Sequence, residues 1–239
     1  MRLLLIVALT GACAQAHQEG FNTRPDSGVH VVDSSGGGGD GNNQQIDAPM
    51  QHIDAPMQGG TQTLSETTSN TDTQIGIACG PTAGGYTLKN SFYRVFALSE
   101  YGVTGTFHVQ AVDFGVSGPA GNPPIKVSVG TYNGTTGGQT LTTSGITLAT
   151  NATINPASTD TTEHVPLTAD ITGNLIVEID QTADGTTANG YQFYPAANAS
   201  GETHPGYIMA AGCMVTVPTS VTSKAGAETD IVITVTGST

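Results

Sequence analysis

Glu178 and Asp180 alternate within Leu175-Ile176-Val177-Glu178-Ile179-Asp180. A strand at that point sets both carboxyls on one face, about 6.5–7 Å apart along the chain. That separation suits paired carboxylates of a hydrolase, but two solvated acids on an open strand face give the same pattern. Asp184-Gly185 follows at a turn, and Glu178, Asp180 and Asp184 together offer hard oxygen ligands for calcium. Their spacing is not that of a twelve-residue calcium loop, so the expectation is strand-end acids and no metal. Arg94 is one of only four basic residues after Gln74 and lies among Phe92, Tyr93 and Phe96. It can grip an anionic ligand, but the expected role is structural, stacked on a ring or paired with an internal carboxylate. His164 follows Glu163, and His204 sits in Thr203-His204-Pro205; both read as ordinary strand-edge or loop histidines. No Gly-x-Ser-x-Gly, His-Glu-x-x-His or phosphate-cradling loop occurs, so neither a catalytic residue nor a cofactor is expected.

Sugar-binding sandwiches use aromatic platforms. The chain has no Trp, which leaves Tyr191, Tyr194 and Tyr207 as a weaker potential patch. Tyr191 and Phe193 share one parity and Tyr194 takes the other, so at least one set is expected in the core.

The cysteines divide by position. Cys13 follows Met1-Arg2, the apolar run Leu3 to Leu9 and Thr10-Gly11-Ala12, the charge, core and small residues of an export signal. The run is too short to span a bilayer as a helix. Gly11-Ala12-Cys13 resembles the lipobox of bacterial lipoproteins, with Leu9 one place earlier than that pattern wants. The rival is cleavage after Ala14-Gln15-Ala16, which releases a soluble secreted or periplasmic protein. Lipidation of Cys13 is the expected route. On either route Cys79 and Cys213 remain as a pair; they lack zinc spacing and flanking His or basic residues, so a structural disulfide is expected.

These residues need elements to carry them. Residues 1–16 read as the signal segment. Residues 17–74 hold Gly36 to Gly39, Asn42-Asn43-Gln44-Gln45 and one of the thirteen aromatic residues, Phe21, a composition expected to give a disordered tether. Ile46-Asp47-Ala48-Pro49-Met50-Gln51 repeats as Ile53-Asp54-Ala55-Pro56-Met57-Gln58, and acids recur every seven residues from Glu19 to Asp54. Pro49 and Pro56 exclude a coiled coil, and the repeat reads as an unconstrained acidic spacer.

From residue 75 to 239 the period becomes two. Ile125, Val127 and Val129 alternate with polar residues, as do Val165, Leu167 and Ala169, then Leu175, Val177 and Ile179, then Ile231, Ile233 and Val235. Turn residues such as Asn133-Gly134 and Ser200-Gly201 stand between them. Between Thr106 and Val116 the apolar parity changes after Val109, which predicts either a β-bulge near Gln110-Ala111 or burial of both faces. The expected fold is a single antiparallel all-β sandwich, jelly-roll-like, with Cys79 and Cys213 clipping its ends.

Six Lys and Arg against 19 Asp and Glu leave no electropositive footprint, which argues against a nucleic-acid partner. Eight of those acids precede residue 75 and eleven follow it, dividing between tether and sandwich.

The run Asn90-Ser91-Phe92-Tyr93-Arg94-Val95-Phe96, with Tyr101-Gly102-Val103, Val112-Asp113-Phe114-Gly115-Val116 and Pro205-Gly206-Tyr207-Ile208, resembles a β-sandwich accessory module of secreted bacterial proteins. The lipobox, acidic spacer and β domain together look like surface lipoproteins of predatory and fruiting soil bacteria. The resemblance implies a jelly-roll-like binding or structural domain without catalytic residues. It also implies an outer-membrane or cell-surface location, a membrane partner through the lipid, an unidentified glycan or protein ligand and a monomeric state. The alternative is an extracellular hydrolase or carbohydrate-binding module whose site assembles only in the fold.

Overall fold

The computed structural model describes residues 15–16, 60–71, 75–81, 85–156, 161–225 and 229–239. The expected lipid acceptor Cys13 and most of the expected tether, residues 17–59 and 72–74, lie outside these residues.

Among the described residues fourteen strands follow one another: β1 Gln15–Ala16, β2 Thr61–Ser65, β3 Ile75–Ala78, β4 Ser91–Ala97, β5 Phe107–Val116, β6 Ile125–Tyr132, β7 Ile146–Ile154, β8 Thr161–Ile171, β9 Asn174–Gln181, β10 Ala196–Asn198, β11 Tyr207–Ala210, β12 Val215–Ser220, β13 Asp230–Ile231 and β14 Ile233–Ser238. A single-turn helix, α1, spans Val221–Ala225. One sheet has the order β12-β11-β4-β9-β6-β7, the facing one β2-β14-β5-β8, and a small sheet β1-β3-β10-β13 continues from the chain that enters β14. Pairing is antiparallel throughout, and the layers form the expected sandwich.

The period-two residues face inward. Phe92 and Phe96 of β4, Val127 and Val129 of β6, and Val177 and Ile179 of β9 meet Val112, Phe114, Val165, Ile233 and Val235 of the facing sheet. Phe193 stacks edge-on to both Phe92 and Phe114, at 6.2 and 6.3 Å between ring centres. The parity change in β5 is a bulge: register slips between Val109 and Ala111 against both neighbours, and exposed Gln110 is the extra residue against β14, while against β8 the extra residue lies on β8 between Pro166 and Ala169. One added residue turns Val112, Phe114 and Val116 back toward the core that Phe107 and Val109 already face.

The domain starts earlier than expected. Thr61–Ser65 falls within the tether proposed for residues 17–74, yet it pairs residue for residue with β14. Thr61-Gln62-Thr63-Leu64-Ser65 has only one large apolar residue, so its composition reads as linker. Leu64 alone enters the core, fully buried, while backbone pairing with β14 supplies the rest of the strand.

Cys79 precedes the loop into β4 and Cys213 ends the 3-10 turn before β12. Their Cα atoms lie 6.0 Å apart across 134 residues of sequence, and the two form the expected disulfide.

Candidate functional site

The outer face of the six-stranded sheet carries an organised polar group. Register places Ser91, Asp180 and Lys126 in one cross-strand row, and Tyr93, Glu178 and Ser128 in the next. Ser91 Oγ donates to Asp180 Oδ1 at 2.9 Å, and Lys126 Nζ lies 3.8 Å from Asp180 Oδ2. Tyr93 stands directly opposite Glu178 in this register. Ser128 Oγ lies 3.5 Å from Glu178 Oε2, long for a hydroxyl bond, although Ser128 is 1% exposed. Glu178 and Asp180 therefore share one face, as their alternation predicts. Partial burial raises the Glu178 pKa above the ordinary carboxylate range, with Asp180 adding to the rise and Tyr93, Lys126 and Ser128 opposing it.

One side of this shelf is walled. Residues 133–145 cross the outer face and dock Leu141, 3% exposed, into a cluster of Tyr93, Val95, Tyr132, Ile176 and Tyr207. The strap is tied down from residue 138 to 142. The Leu141 amide donates to the Pro218 carbonyl at 2.9 Å, and the Ser220 amide to the Gln139 carbonyl at 2.8 Å. The Thr142 amide donates to the Tyr132 hydroxyl at 3.1 Å, and the Tyr207 hydroxyl to the Gly138 carbonyl at 3.0 Å. Gly134 lies directly on the Tyr132 ring, and a Cβ there would run into the phenol. Tyr93 belongs to both parts: it packs in the cluster beneath the strap and lies opposite Glu178 in register.

A second polar group is internal. Arg94 is fully buried; Nη1 donates to Glu202 Oε2 at 2.7 Å and to the His204 carbonyl at 2.6 Å, and Nη2 donates to the Ile231 carbonyl. Its Nε is buried without a partner. Beside it, Glu66 is 1% exposed and accepts from the Tyr101 hydroxyl at 2.9 Å, with His204 Nδ1 2.9 Å from its other oxygen. Burial beside Glu66 pushes the Tyr101 hydroxyl far above the ordinary phenol range. Burial also raises the Glu202 pKa, against the pull of Arg94 and the Gly206 amide. Arg94 thus takes the structural role, paired with an internal carboxylate.

The remaining expected residues scatter. Asp184 accepts from the Lys89 amide at 2.8 Å at a turn, and among the described residues no three His, Cys, Asp or Glu side chains converge as a metal cluster. His164 faces Asp113 at 2.7 Å, exposed on the opposite sheet. Tyr191, Tyr194 and Tyr207 form no aromatic platform: Tyr207 is 1% exposed under the strap, and Phe193 is fully buried while Tyr191 and Tyr194 on either side are half-buried. A shallow depression of about 500 Å³, lined by Ser99, Thr104, Gly105 and Asn174 among others, contains neither an acid nor a base.

Sequence reasoning missed Ser91, Ser128 and Leu141 as parts of the shelf and strap, and Glu66, Tyr101 and Glu202 as partners in the buried network. A signal existed for Leu141, the lone large apolar residue between Asn133 and Gly145 in a stretch of Gly, Thr and Ser.

The fold and surface define an all-β sandwich domain with a strap-walled polar shelf. The chain matches no protein-family model and no curated protein.

Proposed function

We propose that this chain is an exported cell-envelope protein, anchored through a lipid on Cys13, that displays a non-catalytic β-sandwich as a binding module. The observation that carries the reading is the Cys79–Cys213 disulfide, which closes a long loop of a domain built for an oxidising compartment. The Leu3–Leu9 run and Gly11-Ala12-Cys13 supply the export and anchoring signals. The buried Arg94 and Glu66 groups are engaged with neighbouring segments of the same domain, which leaves the sheet's outer face as the surface for a partner. The lipid keeps the domain at the outer membrane or cell surface as a monomer.

Mass spectrometry of the mature N-terminus tests this reading. A mature chain beginning at acylated Cys13 supports it; one beginning at His17 assigns the protein to the secreted or periplasmic space. A second reading, an extracellular hydrolase, is favoured by one observation: Glu178 has a raised pKa and shares its face with Asp180. Turnover of oligosaccharide substrates that is abolished by Glu178→Gln would establish the hydrolase in place of the binding module.

A further inference from the structure

We propose that Asn133 is a self-modifying site: Asn133-Gly134 converts through a cyclic imide to aspartate and isoaspartate, and the isoaspartate form loosens the strap that carries Leu141. The inference goes beyond the binding-module reading and does not depend on the lipid anchor.

The chemistry needs an asparagine or aspartate followed by glycine, whose missing Cβ lets the backbone fold back onto the side chain. The Gly134 amide nitrogen attacks Asn133 Cγ, and a new N–Cγ bond closes the ring. The Cγ–Nδ2 bond breaks, and Nδ2 leaves as ammonia with the proton given up by the Gly134 amide. Water, the one co-reactant, then opens either carbonyl of the imide. One opening leaves aspartate in the ordinary chain. The other leaves isoaspartate, in which the main chain runs through the former side chain and is one carbon longer.

Three such dipeptides lie among the described residues, and their surroundings separate them. In Asn189-Gly190 both reacting groups are held. Asn189 Oδ1 accepts from the Thr186 amide at 2.7 Å and from the Tyr191 amide at 3.2 Å, and Nδ2 donates to the Asp184 carbonyl at 3.2 Å. The attacking Gly190 amide is itself bonded to the Thr186 carbonyl at 2.8 Å. In Asp184-Gly185 the carboxyl accepts from the Lys89 amide at 2.8 Å, and the Gly185 amide donates to the Thr87 carbonyl at 2.8 Å.

Asn133-Gly134 differs at both positions. Asn133 is exposed, and among the described residues neither its side-chain amide nor the Gly134 backbone amide has a hydrogen-bond partner. The bond that does reach the dipeptide runs from the Asn133 backbone amide to the Gly145 carbonyl at 2.9 Å and engages neither reacting group. Packing also fixes the glycine, because a Cβ on Gly134 would enter the Tyr132 ring. The fold therefore imposes the very neighbour that makes Asn133 reactive.

The same contacts carry the consequence. The Asn133–Gly145 bond closes the base of the strap, and the Tyr132 ring beneath Gly134 holds the Thr142 amide on its hydroxyl at 3.1 Å. Isoaspartate inserts a main-chain carbon between the Asn133 nitrogen and Gly134. The bond to Gly145 and the contact with Tyr132 then cannot both keep their geometry, and the strap lifts. Aspartate keeps the chain length and leaves the strap seated.

The test ages the full chain in neutral buffer and maps it by peptide mass spectrometry, with isoaspartate read by isoaspartyl methyltransferase labelling. Asn133 is expected to convert at least about tenfold faster than Asn189, where four hydrogen bonds must open first. Asn133→Gln, whose longer side chain disfavours the ring closure, stays unconverted over the same period. Amide exchange across residues 136–143 quickens in the isoaspartate fraction and not in the aspartate fraction, with the β4 and β9 amides unchanged. Conversion of Asn189 as fast as Asn133, or persistence of Asn133 alongside it, overturns the site. Isoaspartate at position 133 with unaltered exchange across the strap overturns the loosening.

Discussion

Arg94 Nη1 and Glu202 Oε2 meet at 2.7 Å inside the sandwich, from β4 and from the turn that precedes β11, with 108 residues of chain between them. Water does not reach the Arg94 side chain, which is wholly buried, while that of Glu202 is 10% exposed. The pair joins the six-stranded sheet to the segment around Ile231, because Nη2 of the same guanidinium donates to the Ile231 carbonyl.

Breaking that pair leaves a charge in the core. Glu202→Gln is expected to cost about 3–5 kcal/mol in urea unfolding, because Arg94 keeps its charge. Replacing both residues by leucine is expected to cost less than the sum of the two single changes. Additive losses would show that the two do not act as a pair.

The disulfide is expected to contribute about 4–5 kcal/mol, since in the chain-entropy model the stabilisation grows with loop length and this loop is long. Melting with and without a reductant strong enough to open a buried bond measures it. The Cys79→Ser, Cys213→Ser double variant should reproduce the reduced value.

Glu178 makes stability depend on pH in a defined direction. Its pKa is raised on folding, so the folded state holds this proton more tightly than the unfolded chain. The associated stability is fully present below the ordinary glutamate pKa and is lost as pH rises through the raised value. Burial sets the rise, Asp180 adds to it, and Tyr93, Lys126 and Ser128 oppose it. Wild type and Glu178→Gln should therefore melt alike in acid and separate toward neutral pH, with the variant the more stable. Parallel curves across that range would refute the assignment.

Leu141 holds the strap. Leu141→Ala is expected to cost about 2–5 kcal/mol if the site does not collapse, and to raise amide exchange across residues 136–143 before the β4 and β9 amides respond. The Tyr207 hydroxyl reports the same event: burial pushes its pKa up to about 12, and freeing the strap should bring it back toward the ordinary phenol range in an absorbance titration. Uniform exchange across sheet and strap would mean that the strap is not a separate unit.

The six-stranded sheet needs glycine at position 130. Its Cβ position is occupied by the Thr147 carbonyl, where the β6–β7 register slips between Val129 and Gly130. Gly130→Ala is expected to loosen β7, seen as faster exchange from residue 146 to 154, with the β4–β9 pairing retained.

The strands of the core were legible because alternation is a property of neighbouring residues. Val127, Val177 and Val235 announce a buried face whatever their partners are. The parity change in β5 announced by the same logic either a bulge or two buried faces, between which the registers with β8 and β14 decided, and the shared face of Glu178 and Asp180 followed from their alternation. Cysteine number and position were enough for the Cys79–Cys213 bond. β2 was not legible, since Thr61 to Ser65 is a strand through its pairing with β14, some 170 residues away, and only Leu64 marks it. The shelf was half legible. Glu178 and Asp180 stood out by their alternation, whereas Ser91 and Ser128 became their neighbours only through the registers of β4 and β6 against β9. Arg94 could be read as a residue in need of a carboxylate, but which one depended on tertiary structure. Local sequence determines which way side chains point; the choice among Glu66, Glu178 and Glu202 as partners requires contacts across long loops, and those are decided by the packing of the whole sandwich.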